Sequence, residues 1–278
     1  MNESLLSRGR KVALVTGASS GIGRCIALQL AQEGYDVVLT ARRLELLNEL
    51  AAEIERTGDS RCVTIPLDLA ASDGASRLIE QVRALNIPIN YLVNNAGVTV
   101  EGQYLDHDWE AHRGLSQLMS IAPAQLIHHF LPDMLEKRDG NVLNVASLGA
   151  FWPCFPGITL YAGAKSFLVR LTHTLAVEYA ESGVRFSVVC PFTTRTAFID
   201  TPNTREIVKR MPGFMIQSPE TVARIAIDGV RRQRVVQHTS ALNHALAILL
   251  TCLPPRWIAA GIIRYMALGK SDTQPIDS

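Results

Sequence analysis

Several kinds of residue pattern are missing from this chain, and each absence removes a class of function. Its cysteines (Cys25, Cys62, Cys154, Cys190 and Cys252) form no C-x-x-C pair, and no His/Cys spacing matches a metal site. Neither a disulfide framework nor structural zinc is expected, and reduced thiols are the plain reading. An excess of one charge is also missing. The 27 Lys and Arg stand against 26 Asp and Glu, a net charge of +1. That balance gives no electrostatic footprint for a nucleic-acid partner. Long hydrophobic runs are absent too. Residues 241–253 are apolar and a second stretch follows Trp257, but Pro254-Pro255 divides them, and Arg256 and Arg264 punctuate the second. Neither half reaches the roughly 20 residues a spanning helix needs. Residues 1–11 are polar, without an apolar segment of signal-peptide length, so a cytoplasmic protein is expected.

What remains is a chain that can bury a large core, with 47% hydrophobic residues. Short runs rich in Val and Leu recur at residues 12–15, 37–40, 63–67, 91–94, 142–145 and 186–190. They show little polar alternation, as expected of strands covered on both faces. Longer periodic stretches lie between them, at 22–33, 44–56, 75–85, 109–137 and 161–181. This rhythm predicts an α/β fold, a doubly wound parallel sheet of Rossmann type with helices on both faces. No linker divides the chain, so one domain is expected over 1–278, with a core at about 10–237 and a helical tail at about 238–270. After Cys190 the rhythm breaks, with Pro191, Pro202, Pro212 and Pro219 in an irregular stretch. Ser218 and Pro219 then suit the cap and first turn of another helix. In the tail, Leu242, Ala245, Leu246, Leu249, Leu250 and Leu253 share one helical face.

The first strand runs into Thr16-Gly17-Ala18-Ser19-Ser20-Gly21-Ile22-Gly23, where a helix begins. Glycine lets the backbone turn tightly and approach a ligand. The free N–H groups of a helix start suit a pyrophosphate. The second strand ends in Thr40-Ala41-Arg42-Arg43, with no carboxylate to hold a ribose diol. Arg42 offers a cation for a 2′-phosphate instead, which favours NADP(H) over NAD.

Taken in order, the octet at 16–23, Asp68-Leu69, Asn94-Asn95-Ala96-Gly97 and Tyr161-x-x-x-Lys165 resemble the short-chain dehydrogenase/reductase family over about residues 10–235. The resemblance implies a cofactor site at Gly17, Ser19, Ser20, Gly21, Ile22, Gly23, Arg42, Asp68, Leu69, Asn95, Ala96, Gly97, Tyr161, Lys165, Pro191, Thr194 and Thr196. It implies hydride transfer between NADP(H) and a carbonyl or alcohol carbon, with Tyr161, Lys165 and Ser147 as the catalytic set. No metal is expected. Tyr161 and Lys165 share a helix face one turn apart. A phenol with pKa about 10 needs such a neighbour to work near neutrality. Ser147 follows the fifth strand, at the carboxyl end where ligands bind, and its hydroxyl suits a growing oxyanion. The plain alternative for Ser147 is a loop serine capping a backbone group.

The chain departs from the family pattern twice. Met119 falls where relatives carry an Asn that supports a water near the Lys, and Phe192 follows Pro191 where a Gly is usual. A thioether cannot donate a hydrogen bond. These departures keep open a second reading, an NADP(H)-binding sensor or scaffold with weak or no catalysis. The substrate pocket is expected from residues 148–159 and 194–213, with Phe151, Trp152, Phe155, Phe198 and Met215 as apolar candidates. His128, His129 and His173 lie on helices without metal spacing and read as structural. The resemblance further implies a small-molecule substrate, of apolar character, and a homo-oligomer built on helices near 109–137 and 161–181. The tail face is expected to meet a subunit or the pocket, with contact to a membrane surface as the lesser alternative.

Overall fold

A computed structural model describes residues 9–154, 157–195, 213–252, 254, 256–257 and 260–261. Seven parallel strands form one sheet: β1 (Val12–Thr16), β2 (Asp36–Ala41), β3 (Cys62–Pro66), β4 (Tyr91–Asn94), β5 (Gly140–Val145), β6 (Val184–Cys190) and β7 (Val236–His238). Their spatial order is β3-β2-β1-β4-β5-β6-β7. The chain moves outward from β1 to β3, then crosses back and moves the other way from β4. The crevice between β1 and β4, at the carboxyl ends, is therefore where such a sheet takes a ligand.

Helices cover both faces. On one side, α1 (Gly21–Gln32), α2 (Leu44–Thr57) and α7 (Pro219–Arg231) bury Ile26, Leu30, Leu47, Leu50 and Ile227 against Val15, Val37, Leu39 and Val93. On the other, α3 (Gly74–Ala84), α4 (Trp109–Ser116), α5 (Ala122–Glu136) and α6 (Thr159–Glu178) lie over the sheet, and Leu78, Leu126, Phe130 and Ala164 meet Leu14, Val38, Leu92 and Val142 there. The strands carry apolar residues toward both layers, which explains why their runs lack polar alternation. Each fully buried Leu or Ile contributes roughly 1.5–3 kcal/mol by leaving water.

The expected helix over 109–137 is interrupted. Residues Gln117–Ile121 form a π turn in which the Ala122 N–H donates to the Gln117 carbonyl. Pro123 explains it. Proline has no N–H for the carbonyl four residues back, and its ring crowds that carbonyl. Widening the turn relieves both problems. As expected, Ser218 caps α7, its hydroxyl accepting from the Thr221 N–H at 3.2 Å. The strand β7 and the two-residue pairing of Thr193–Thr194 with Ile216–Gln217 are too short to have been read in the sequence.

The tail helix α8 (Ala241–Cys252) packs on β7 and on the 3-10 turn Leu148–Phe151. The side of α8 facing the protein is set by Asn243 and Ala247, while Leu242, Ile248 and Leu249 face outward. Leucine periodicity gave a face but not its direction. Buried Asn243 is satisfied by donating to the Thr239 hydroxyl at 2.8 Å, which pins the polar side inward. Leu253 lies outside the described residues. No described helix is long and apolar enough to cross a membrane.

Candidate active site

The turn after β1 and the turn after β4 are stitched together at the crevice. The Thr16 hydroxyl donates to the Val93 carbonyl and accepts from the backbone N–H groups of Asn95 and Ala96, at 3.0 and 3.1 Å. The Asn95 amide donates to the carbonyls of Thr16 and Gly17. Gly17 has φ +65°, and a Cβ there would lie 2.8 Å from the Ala96 Cα and from the Asn95 amide nitrogen. Gly21 also has positive φ, +58°. At the start of α1, Ser20 makes no side-chain cap and no acidic residue occupies the first turn. The helix start thus keeps donors and partial positive charge for an anion.

The cation placed over this loop is Arg43, which the sequence reading passed over. Its guanidinium donates to the hydroxyls of Ser19 and Ser20 at 3.1 and 3.3 Å. Arg42 is exposed beside it. The doubled arginine was a visible signal, but position along a strand exit does not say which of two neighbours turns toward the loop. Asp68 is exposed and accepts from the Ala70 N–H at 2.9 Å, while Leu69 is buried in the core. A glycine turn packed tightly on the Asn95 turn, an uncapped helix start and a guanidinium held by Ser19 and Ser20 fit a phosphorylated dinucleotide.

At the carboxyl ends of β5 and β6 the second half of the site assembles. Asn94, Asn144 and Thr172 form a buried chain. The Asn94 amide donates to the Asn144 side-chain carbonyl at 2.9 Å, the Asn144 amide to the Thr172 hydroxyl at 2.8 Å, and that hydroxyl to the Leu168 carbonyl. This links the middle of the sheet to α6 and sets the rotation of the helix that carries Tyr161 and Lys165. Lys165 is 4% exposed, and its ammonium donates to the Val145 carbonyl at 2.7 Å. Burial pulls its pKa down to about 8, opposed by the Cys190 thiol nearby. The ammonium lies 5.7 Å from the centre of the Tyr161 ring.

Ser147 and Tyr161 meet. They share a side-chain hydrogen bond, and a Cβ at Gly149 would sit 3.4 Å from Ser147 Oγ and 3.9 Å from the Tyr161 ring edge. Ser147 Oγ also accepts from the Gly149 N–H at 3.1 Å, so the backbone-capping role is present alongside the contact to Tyr161. Burial pushes the phenol up to about 12, against the Ser147 hydrogen bond, which lowers it. In the protein alone, Ser147 rather than Lys165 is the group that lowers this phenol.

Met119 lies at 0% exposure in the π turn, and a Cβ at Gly97 would be 3.8 Å from its methyl carbon and 3.7 Å from Lys165 Nζ. Met119 and Lys165 thus both border Gly97. Pro191 is buried, its carbonyl accepting from the Leu148 N–H at 2.8 Å, and Thr194 is buried beyond it. Phe192 is half-buried. Phe151, Trp152 and Met215 are half-buried, whereas Phe155, Thr196 and Phe198 lie outside the described residues. Among the described residues, no group of three or more His, Cys, Asp or Glu side chains could hold a metal ion.

A profile of the short chain dehydrogenases matches residues 11–207. The chain belongs to the short-chain dehydrogenase/reductase family. This family member is 28% identical over 244 residues to the ketoacyl reductase HetN of a Nostoc species, covering 86% of this chain and 83% of that one. It is 30% identical over 252 residues to rat 17-beta-hydroxysteroid dehydrogenase type 3, covering 88% of this chain and 76% of the relative. Among solved structures, a short-chain dehydrogenase from Sphingobium yanoikuyae in complex with NADPH superposes with a TM-score of 0.75 at 26% identity, over 96% of this chain and 98% of that one. The family is one of oxidoreductases, and Rossmann-like architecture is common to the chain and these neighbours.

Proposed function

We propose that this dehydrogenase is an NADP(H)-dependent carbonyl reductase, working on ketone or aldehyde carbons or in reverse on secondary alcohols. The observation that carries the reading is the contact of two hydroxyls, Tyr161 and Ser147, beside a buried ammonium at the carboxyl end of the sheet. The Gly17–Gly23 turn, Asn95, Ala96, Gly97, Thr194 and Lys165 would hold the cofactor, with Arg43 and Arg42 toward a 2′-phosphate. When bound, the nicotinamide supplies the hydride.

Tyr161 is then the proton donor. A phenol raised to about 12 keeps its proton at neutral pH, the state that reduction requires. The Ser147 hydroxyl donates to the substrate oxygen as negative charge grows there. Lys165, with a pKa of about 8, is charged at neutral pH and stabilises the phenolate left behind. The half-buried aromatics Phe151 and Trp152, in the turn that follows Ser147, support an apolar substrate. A steroid dehydrogenase and a ketoacyl reductase among the relatives agree with a carbonyl substrate without choosing one.

The test is NADPH oxidation against a panel of ketones. Turnover is expected, and Tyr161→Phe should reduce it by about 10²-fold or more. Met119, standing where the resemblance implies an Asn, supports the second reading, a cofactor-binding protein with little catalysis. NADPH binding with no turnover across the panel, unchanged in Tyr161→Phe, would favour that reading.

A further inference from the structure

The tail helix leaves part of its apolar surface uncovered. Its protein-facing side carries Asn243, while Leu242, Ile248 and Leu249 are 42%, 51% and 50% exposed, and Trp257 just beyond is 62% exposed. An amphipathic helix on a water-soluble surface does the reverse, because apolar area left in water forfeits its burial energy. The helix is not loosely attached. Asn243 bonds Thr239, the Gln217 amide donates to the Thr239 carbonyl at 2.9 Å, and the His238 ring lies 5.0 Å from His244 and 5.3 Å from Phe151. Its orientation is fixed with Leu242, Ile248 and Leu249 outward and Leu246 and Leu250 half-buried.

Charge says what covers them. Between Asp228 and Asp272 the sequence has no Asp or Glu, yet it carries Arg231, Arg232, Arg234, Arg256, Arg264 and Lys270. Arg231 is engaged by Glu33 at the end of α1 and by Asp228 on α7, but Arg256 is exposed beside Trp257. An apolar face with a tryptophan and cations and no carboxylate matches the boundary of an anionic bilayer. A second copy would bring like charges together, which disfavours a symmetric pairing of this segment.

We propose that the outer face of α8, with the Arg256-Trp257 turn, docks this protein on the surface of an anionic lipid bilayer without crossing it. Because α8 packs on Leu148–Phe151, which directly follows Ser147, docking holds the candidate active site at the lipid boundary. A carbonyl substrate dissolved in the bilayer would then have the shortest route. Docking itself does not depend on catalysis, whereas that route rests on the oxidoreductase reading.

The full-length protein is sedimented with phosphatidylcholine vesicles and with vesicles containing phosphatidylglycerol, at low and high salt. About tenfold more protein should bind the anionic vesicles, with the excess lost at high salt. The double variant Ile248→Glu/Leu249→Glu, at exposed positions, should lose that binding while keeping wild-type NADPH oxidation with a water-soluble ketone and an unchanged melting temperature. Absence of binding to either vesicle, or equal binding to both, would overturn the proposal. So would light scattering in which the double variant splits an oligomer that never bound vesicles, since the face would then belong to a second copy. Vesicle binding by a protein with no ketone turnover would leave docking standing and strike only the enzymatic reading.

Discussion

A nearly buried ammonium with one carbonyl acceptor costs the fold free energy whenever it is charged. In the unfolded chain Lys165 keeps its proton to about pH 10.5, and in the folded protein only to about 8. Between those values the unfolded state binds more protons, so this group makes stability rise with pH across that window. Below it, both states are charged and the whole penalty, about 3 kcal/mol, is present. Lys165→Met, in cofactor-free protein, should therefore raise the unfolding free energy at pH 7 by up to about 3 kcal/mol while abolishing turnover. Its advantage over wild type should shrink by pH 9. The half-buried thiol of Cys62, pushed up to about 12 by burial, contributes the opposite slope above pH 9 but is common to both proteins. Urea unfolding at the two pH values reads the difference, and a Lys165→Met protein less stable than wild type at pH 7 would contradict this account.

Arg43 yields a second prediction at the same scale. A guanidinium already held by Ser19 and Ser20 is poised for an extra phosphate and has no such partner on an unphosphorylated ribose. Arg43→Ala should raise KM for NADPH by roughly 10- to 100-fold, the value of a lost charged hydrogen bond. KM for NADH should hardly move. Arg42→Ala, at the neighbouring exposed position, should have the smaller effect. Equal losses for both cofactors would place Arg43 in general loop support rather than in phosphate selection.

At the scale of elements, the Gly-rich turn is tied to the Asn95 turn so closely that neither moves alone. Gly17→Ala would force an L side chain into the left-handed region and against the Ala96 backbone. It should destabilise the fold by about 2 kcal/mol or more. A drop in melting temperature of roughly 5 °C and loss of NADPH binding are expected. The strands here were legible from composition because burial on both faces leaves long Val/Leu runs, and β4 was read with its observed limits. Residues Gln117–Ile121 were not legible as a π turn, since Pro123 inside a longer periodic pattern is compatible with an ordinary helix start. Asn144 and Thr172 carried a signal that was passed over: polar residues in a strand run and on a buried helix face must find one another. Ser147, Tyr161 and Lys165 were recognisable only as an ordered set, because each alone is an ordinary surface residue type.

At the scale of the whole molecule, the helices over one face of the sheet expose Trp109 and Val177, at 63% and 79%, together with Ile121 and Phe167. These lie on the α4–α5 and α6 segments where the family resemblance implies subunit contacts. Light scattering should give a homo-oligomer, and Val177→Glu should weaken it without changing the fold. A wild-type monomer would refute this. The α8 face is a different surface, so lipid docking and assembly need not compete.

The central claim is that the Tyr161–Ser147 pair protonates a carbonyl oxygen while its carbon accepts hydride. The most direct measurement uses NADPH deuterated at the nicotinamide C4, with mass and NMR analysis of the alcohol formed. Deuterium should appear at the carbinol carbon, on one face only, and its transfer should fall by about 10²-fold or more in Tyr161→Phe. NADPH bound at saturation, with no deuterium reaching any ketone offered and no difference between the two proteins, would contradict it.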